Sequence, residues 1–176
     1  QNIVLRDLGQ DLPRPGVQLG RDVGKALGFD TGFTHMEWFR TASGEAVFGE
    51  IGGRPAGARL VHAMNYSCDI DLFRGWAEAV CYGKLSQDTT KKYNASMIFK
   101  RAQGEGTVRE HRGLGELLRR FGQHIACIEL TPIGEPKRDW RKVVVGDGWI
   151  VVRHPDLATT LQISEAFVND LVVVAG

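Results

Sequence analysis

Apolar and polar residues alternate along two short segments, 32–40 and 45–51, that flank the pair Ser43-Gly44. Alternation with a period of two is typical of β-strands, and a glycine-containing pair between two such strands is typical of a tight turn. The pattern predicts a β-hairpin with a two-residue loop. In that register Glu37 lies directly opposite Glu50, and Trp38 lies opposite Gly49.

Elsewhere apolar residues recur either at helical spacing or in short runs bounded by glycine and proline. The helices predicted in this way are 17–27, 57–66, 70–81, 114–121 and 157–169, with Asp69 and Asp156 as N-caps of the third and the last. The predicted strands are 95–100, 107–111, 124–130, 140–145, 149–153 and 171–174. Gly146-Asp147-Gly148 is a turn signal that predicts a hairpin between the fourth and the fifth of these strands. Helices and hairpin-joined strands in this mixture predict an α+β fold with a mostly antiparallel sheet and flanking helices.

The length of 176 residues suits one domain or two small lobes that share a core. A polar stretch at 84–92 separates the hairpin and its neighbouring helices from the later strands. We therefore divide the chain into a lobe at 1–92 and a smaller C-terminal α+β lobe at 93–176.

Charge and cysteine content exclude several classes of protein. The formal net charge is +1, with basic and acidic residues spread along the chain, which argues against binding to nucleic acid or to acidic lipid. The sequence has no apolar run long enough to cross a membrane and no secretory signal. Its three cysteines lack a CxxC spacing and are odd in number, which favours a reducing compartment such as the cytoplasm.

The predicted pairing of Glu37 with Glu50 has a chemical consequence. Like charges directly opposite each other destabilise a sheet, so such a pair is expected where a cation lies between them or where one carboxylate is protonated. Carboxylate oxygens are the ligands that Mg²⁺ prefers, often together with phosphate oxygens. His35 lies on the same predicted face, and Arg54 follows in the glycine-rich segment 52–57. The hairpin is therefore the candidate site for a metal ion beside a phosphate.

The segment 32–57 has a strand with Glu37, a glycine turn, a strand that ends in Glu50-Ile51, and then Arg54-Pro55-Ala56-Gly57. This segment resembles the metal-binding hairpin of the ATP-grasp superfamily. The flanks across 25–83 are similar to those of its carboxylate–amine ligases and carbamoyl-phosphate-synthase-like members. Residues 94–176 resemble the small C-terminal lobe that often closes such chains. The resemblance implies that the fold is the C-terminal half of an ATP-grasp fold with that lobe appended.

The resemblance also implies a reaction and a ligand set. ATP binds between two α+β lobes, and two acidic side chains hold the Mg²⁺ ions that bridge its phosphates. A carboxylate substrate becomes an acyl phosphate, which an amine then attacks. Glu37 and Glu50 match the metal ligands, and Arg54 matches the residue that steadies the acyl phosphate. Small-molecule carboxylate and amine substrates are the implied partners, and homodimers occur among relatives.

Two features depart from the family pattern. Gly52 occupies the position, two residues after the second acid, where relatives carry a metal-binding asparagine. The N-terminal substrate lobe and the middle lobe with its phosphate-binding lysines have no counterpart in this sequence. We therefore expect the chain to be the C-terminal part of such a ligase, which on its own holds metal weakly and neither binds ATP well nor turns over.

Two other interpretations remain open. A non-catalytic ATP-grasp-like module for binding or oligomerisation would fit Gly52, and Trp149 would then be an interface residue. A metal-dependent hydrolase that uses His35, Glu37 and Glu50 is the third interpretation, although the sequence has no spaced pair of histidines. The remaining histidines, tryptophans and cysteines, together with Asp69 and Asp71, are explained most simply by packing and helix capping.

Overall fold

The computed structural model describes all residues 1–176, and the chain is α+β, as predicted. The strands are β1 (Asn2–Val4), β2 (His35–Arg40), β3 (Ala46–Gly52), β4 (Asn94–Lys100), β5 (Val108–Arg112), β6 (Ile125–Leu130), β7 (Gly148–His154) and β8 (Val172–Ala175). The α-helices are α1 (Arg14–Ala26), α2 (Leu60–Cys68), α3 (Leu72–Tyr82), α4 (Leu114–Phe121) and α5 (Leu157–Asp170), and a 3₁₀ turn spans Gly122–His124. All pairs of named strands are antiparallel. No helix is long and apolar enough to cross a membrane.

The chain divides into two compact units. Unit 1 comprises 1–6, 58–69 and 91–176, and unit 2 comprises 7–57 and 70–90. The last change of unit lies close to the boundary expected between residues 92 and 93. Unit 1 nevertheless includes two earlier segments, because β1 pairs with β4 and α2 packs on the same sheet.

Unit 1 is built on a four-stranded sheet with the order β1-β4-β7-β6. Residues of β4 and β7 that point to one face pack with α4 and α5, and those that point to the other face pack with α2. Alternate residues of a strand point to opposite faces, so these central strands are buried on both sides. The separate pair β5–β8 contributes a third, smaller apolar cluster around Val108 and Val173.

The hairpin expected at 140–153 is absent, because residues 140–145 form no strand and β7 pairs with β4 and β6 instead. Asp147 explains the difference. It is fully buried, and its carboxylate accepts hydrogen bonds from the backbone N–H groups of Ala102 (2.7 Å) and Arg138 (2.6 Å). Its carbonyl oxygen accepts from Thr131. Asp147 thus anchors the long β6–β7 connection rather than occupying the tip of a turn.

Two helix boundaries also differ from the prediction. Asp71, not Asp69, is the N-cap of α3, and its carboxylate accepts from the backbone N–H groups of Phe73 and Arg74. Asp69 instead follows the end of α2 in a left-handed conformation and pairs with Arg153 and Lys92. The helix predicted at 57–66 is α2, which begins and ends later, at Leu60–Cys68.

Unit 2 contains the β2–β3 hairpin, α1 and α3. Its four buried residues are all small, namely Pro13, Gly16, Gly75 and Ala79. The segment after α3 folds back on this helix, where the Glu78 carboxylate accepts from the backbone N–H of Ser86 at 2.9 Å. Gln87 exchanges two hydrogen bonds with the backbone of Asp71.

Candidate functional site

One face of the β2–β3 hairpin packs against α1. Two glycines make this approach possible: a Cβ on Gly16 would lie 2.1 Å from the Trp38 ring, and a Cβ on Gly20 would lie 3.4 Å from the Met36 methyl group. Glycines inside a helix weaken its intrinsic stability, but here they let the hairpin approach. The other face of the hairpin carries Glu37.

The register places Glu37 directly opposite Glu50, as the sequence predicts. The loop, however, has three residues, because the backbone N–H of Thr41 bonds to the carbonyl of Glu45 at 3.0 Å. Gly44 has the positive φ of 92° that this kind of loop requires. With a three-residue loop alone, the partner of Glu37 would be shifted by one residue.

A β-bulge at Gly49 compensates for the longer loop. Trp38 pairs with Phe48 rather than with Gly49, and the register shifts between Glu37 and Trp38. A Cβ on Gly49 would lie 2.9 Å from the Glu37 carbonyl oxygen, so a side chain at this position would disturb the bulge. The extra loop residue and the extra strand residue cancel. The predicted pairing of the two glutamates is therefore confirmed, while the pairs predicted nearer the loop are wrong by one residue.

Both glutamate side chains are exposed, and neither forms an ion pair or a hydrogen bond within the chain. Directly opposed carboxylates in a sheet cost roughly as much as an opposite-charge pair gains, about 0.2–1 kcal/mol. Since no lysine or arginine of the chain pairs with them, the repulsion between Glu37 and Glu50 is not relieved internally. The pair can accept an external cation.

Arg54 lies just beyond β3 and is exposed. Its backbone N–H donates to the Gly52 carbonyl at 3.0 Å, and its Nη1 donates to the Pro55 carbonyl at 3.1 Å. The side chain runs along Gly52, where a Cβ would lie 3.6 Å from Cγ and Nε of Arg54. Because Gly52 pairs with His35 at the end of the register, Arg54 lies just beyond the end of the hairpin, four residues after Glu50.

His35 is half-buried, and its Nδ1 is buried without a hydrogen-bond partner. No group of three or more His, Cys, Asp or Glu side chains is close enough to hold one metal ion. The structure therefore gives no support to a site in which His35, Glu37 and Glu50 together ligate a metal. Glu37 and Glu50 remain the predicted metal ligands of the hairpin.

Two residues that the sequence did not single out have unusual backbones. Ala58 and Arg59 have φ values of 48° and 61°, in the left-handed region that favours glycine. The sequence carries no signal for this conformation, because neither residue is glycine, asparagine or aspartate. The guanidinium of Arg59 lies over the ring of Trp149, beside His62.

The fold is shared with solved structures of larger proteins. An L-amino acid ligase from Bacillus licheniformis matches with a TM-score of 0.75 and 18% identity, over 99% of this chain and 45% of that one. An N5-carboxyaminoimidazole ribonucleotide synthetase from Thermotoga maritima matches with a TM-score of 0.67 and 21% identity, over 93% and 42%. An ADP complex of the same kind of synthetase matches with a TM-score of 0.58 and 17% identity, over 89% and 37%.

These similarities confirm, at the level of the fold, the resemblance to the C-terminal part of ATP-grasp ligases. The chain spans less than half the length of the structures that it matches. No protein-family model matches the sequence. A search of curated proteins found no match either.

Proposed function

We propose that this chain supplies the metal-binding hairpin of an ATP-dependent ligase that joins a small-molecule carboxylate to an amine. The observation that carries the proposal is the direct pairing of Glu37 with Glu50, without a cation of the chain on either carboxylate. The shared fold supports it, since the matched structures are a ligase and two synthetases, one of them solved with ADP.

The donor set suits magnesium. This ion takes oxygen ligands and is commonly bound by one or two carboxylates together with substrate phosphates and water. Glu37 and Glu50 provide two carboxylates, and Gly52 adds no side chain, so phosphate and water are the remaining ligands that the proposal requires. A bound magnesium ion would neutralise charge on the phosphoryl group.

Arg54 is proposed to bind the phosphoryl and acyl-phosphate oxygens. A guanidinium presents its N–H donors in a planar fork that matches such oxygens, and only one Arg54 donor has a partner, the Pro55 carbonyl. Its charge stabilises the negative charge that develops on these oxygens during transfer. Arg54 follows the end of β3 by two residues, so this donor is close in sequence to Glu50, which β3 carries.

In the proposed reaction a carboxylate oxygen of the substrate forms a bond to the γ-phosphorus of ATP as ADP leaves. The amine nitrogen then forms a bond to the acyl carbon, phosphate leaves, and the nitrogen loses a proton. Much of the binding of ATP and of both substrates is assigned to the lobes of the fold that this chain does not contain. Those lobes are accordingly the proposed partners of this chain, and a homodimer is a further proposal.

The alternative is a non-catalytic module that keeps the fold and uses it for binding or oligomerisation. Gly52 favours this alternative, because the asparagine that would serve as a further ligand is missing. The two proposals differ in whether metal binding at the hairpin is coupled to turnover of ATP.

Glu50→Gln separates these cases and is our first prediction. We expect the affinity of the chain for Mn²⁺, measured by calorimetry as a probe for Mg²⁺, to fall by at least about tenfold, because loss of even an outer-shell partner costs 10–100-fold. The free energy of unfolding should stay the same or rise by about 0.2–1 kcal/mol, because the repulsion is relieved. Glu45→Gln, on the same hairpin but away from the pair, is the control and should change neither quantity.

Unchanged Mn²⁺ affinity in the Glu50→Gln variant would refute the metal site. In a protein that carries this chain together with the remaining lobes, the same variant should abolish ATP-dependent ligation. Metal binding without any ATP turnover in that protein would favour the non-catalytic module.

A further inference from the structure

The backbone just before α2 is strained at Ala58 and Arg59. Ala58 and Arg59 are consecutive left-handed residues, and this conformation costs a residue with a Cβ roughly 1–2 kcal/mol. Arg59 lies at the N-cap position of α2 without capping it by its side chain. The strain is therefore not explained by helix capping, and strained residues of this kind concentrate at functional sites.

Two aromatic side chains hold the Arg59 guanidinium. Its Cζ lies 5.4 Å from the centre of the Trp149 ring, and its Nη1 lies 3.4 Å from His62 Nε2. An arginine can only donate, so the neutral imidazole accepts at Nε2 and carries its proton on Nδ1. The His62 and Trp149 rings meet edge to face, with centroids 5.8 Å apart. The guanidinium is thus fixed in position before any ligand arrives.

Arg59 has no acidic partner, although it is exposed and well positioned. Arginines elsewhere in unit 1, such as Arg119 and Arg153, form ion pairs with carboxylates. No carboxylate of the chain pairs with Arg59. The indole nitrogen of Trp149, a residue only 3% exposed, is also buried without a hydrogen-bond partner. An unsatisfied buried donor costs about 1–3 kcal/mol, which again calls for an explanation.

The charges around the cluster favour an anion of low charge. Burial lowers the pKa of His62, and the neighbouring Arg59 lowers it further, so the imidazole is neutral at pH 7. Glu129 lies on β6, directly opposite Trp149, and its negative charge raises the pKa of His62. Glu129 itself pairs with Arg138 at 3.9 Å, so it leaves Arg59 without a carboxylate partner. A monocarboxylate would neutralise the single charge of Arg59, whereas a dianion would leave excess negative charge near Glu129. A carboxylate also matches the planar fork of a guanidinium.

We propose that Arg59, held by His62 and Trp149, anchors a binding site for a small monocarboxylate. The site lies in unit 1 and does not involve the hairpin glutamates. It goes beyond the proposed function, since it assigns an anion-binding role to residues outside the metal-binding hairpin.

The indole N–H resonance of Trp149 in a ¹H–¹⁵N spectrum of the whole chain tests the proposal, with Trp149→Phe used to assign it. We expect this resonance to shift saturably on titration with sodium acetate at constant ionic strength. Arg59→Ala should weaken the apparent affinity by about tenfold or more, because hydrogen bonds to charged groups contribute about 1.5–3 kcal/mol. Arg120→Ala is the control, since Arg120 is another exposed arginine over a ring, that of Phe121, and should leave the affinity unchanged.

Arg59→Lys should fall between wild type and Arg59→Ala, because it keeps the charge but loses the fork. A shift that does not saturate, or one that survives unchanged in Arg59→Ala, would overturn the proposal. Tighter binding of inorganic phosphate than of acetate would overturn the choice of a monocarboxylate. Mn²⁺ binding at the hairpin should be the same in Arg59→Ala, so failure of this site leaves the metal site standing.

Discussion

Unit 1 and unit 2 contain similar kinds of secondary structure but bury very different side chains. In unit 1 large side chains such as Met97, Ile150 and Phe167 are completely buried between a sheet and helices on both faces. In unit 2 the buried residues are small, and most of its large apolar side chains are exposed, including Phe39 and Val80. Most of the hydrophobic free energy of folding therefore comes from unit 1.

The comparison explains how the hairpin that carries the candidate metal site is maintained. A two-stranded hairpin is marginal on its own and needs a further layer. Unit 2 supplies that layer through the close approach of α1, which depends on Gly16 rather than on a large buried side chain. Regions with few buried apolar contacts open more readily than the core. The site glutamates thus lie in the less stable part of the chain.

The largest test of this comparison is Phe167→Ala. Phe167 is completely buried, so its loss should cost about 3–5 kcal/mol of the free energy of unfolding. Phe39→Ala is the matched control in unit 2, where the residue is 67% exposed, and its effect should stay within about 0.5 kcal/mol. Denaturant titration followed by circular dichroism measures both. Equal losses would show that unit 2 buries Phe39 in solution.

Gly16→Ala should destabilise unit 2 by about 1–3 kcal/mol, because the new methyl group would overlap the Trp38 ring. Gly24→Ala, in the same helix with no atom near its Cβ position, should instead stabilise by about 0.5–1 kcal/mol. Amide hydrogen exchange of β2 and β3 would locate the effect. Equal changes in the free energy of unfolding for the two variants would contradict the close packing of Gly16 against Trp38.

A pH-dependent prediction concerns the segment that folds back on α3. Hydrogen bonds from the backbone and hydroxyl of Ser86, together with Arg74, lower the pKa of Glu78 from 4.5 to about 2. The pKa is lower in the folded state, so the stabilisation is complete above the unfolded value and is lost as pH falls through about 2. Glu78→Gln should increase hydrogen exchange at 84–88 near neutral pH. Unchanged exchange there would contradict the role of this carboxylate.

The smallest expected effect is that of Ala58→Gly. Ala58 has a positive φ, which glycine adopts at little cost. The substitution should therefore leave the free energy of unfolding unchanged or raise it by up to about 1 kcal/mol, as thermal or denaturant unfolding would measure. A clear loss of stability would show that the left-handed conformation is not strained. The same measurement on Gly57→Ala, adjacent in sequence with no atom near its Cβ position, provides the comparison.

The sequence predicts elements well where glycine or a capping residue marks their ends. Helix α4 has the predicted bounds, because Gly113 precedes it where a Cβ would lie 2.1 Å from the Asp170 carbonyl oxygen, and Gly122 ends it. The N-cap at Asp156 is also confirmed. Gly83 follows α3 as its C-cap in a left-handed conformation, which glycine adopts readily. In each case the end of the helix is determined by a residue next to it in the sequence.

Long-range contacts account for the failures. Asp147 between two glycines has the pattern of a turn, but its carboxylate bonds to backbone groups distant in sequence, and no local pattern encodes those partners. The left-handed conformation of Arg59 is likewise not predicted by the sequence. The sequence predicts Glu37 opposite Glu50 from a two-residue loop, but the loop has three residues. The two glutamates are nevertheless paired, because the bulge at Gly49 shifts the register by one residue. Their role in metal binding stays a prediction.

The bulge has a consequence for how this hairpin can vary among related chains. Four residues lie between Glu37 and the loop 42–44, and five lie between the loop and Glu50, because Gly49 is an extra residue. A related chain with the same loop but no bulge would keep its two acids opposed with one residue fewer between them. A search pattern that fixes the spacing of the two acids would therefore miss such a chain.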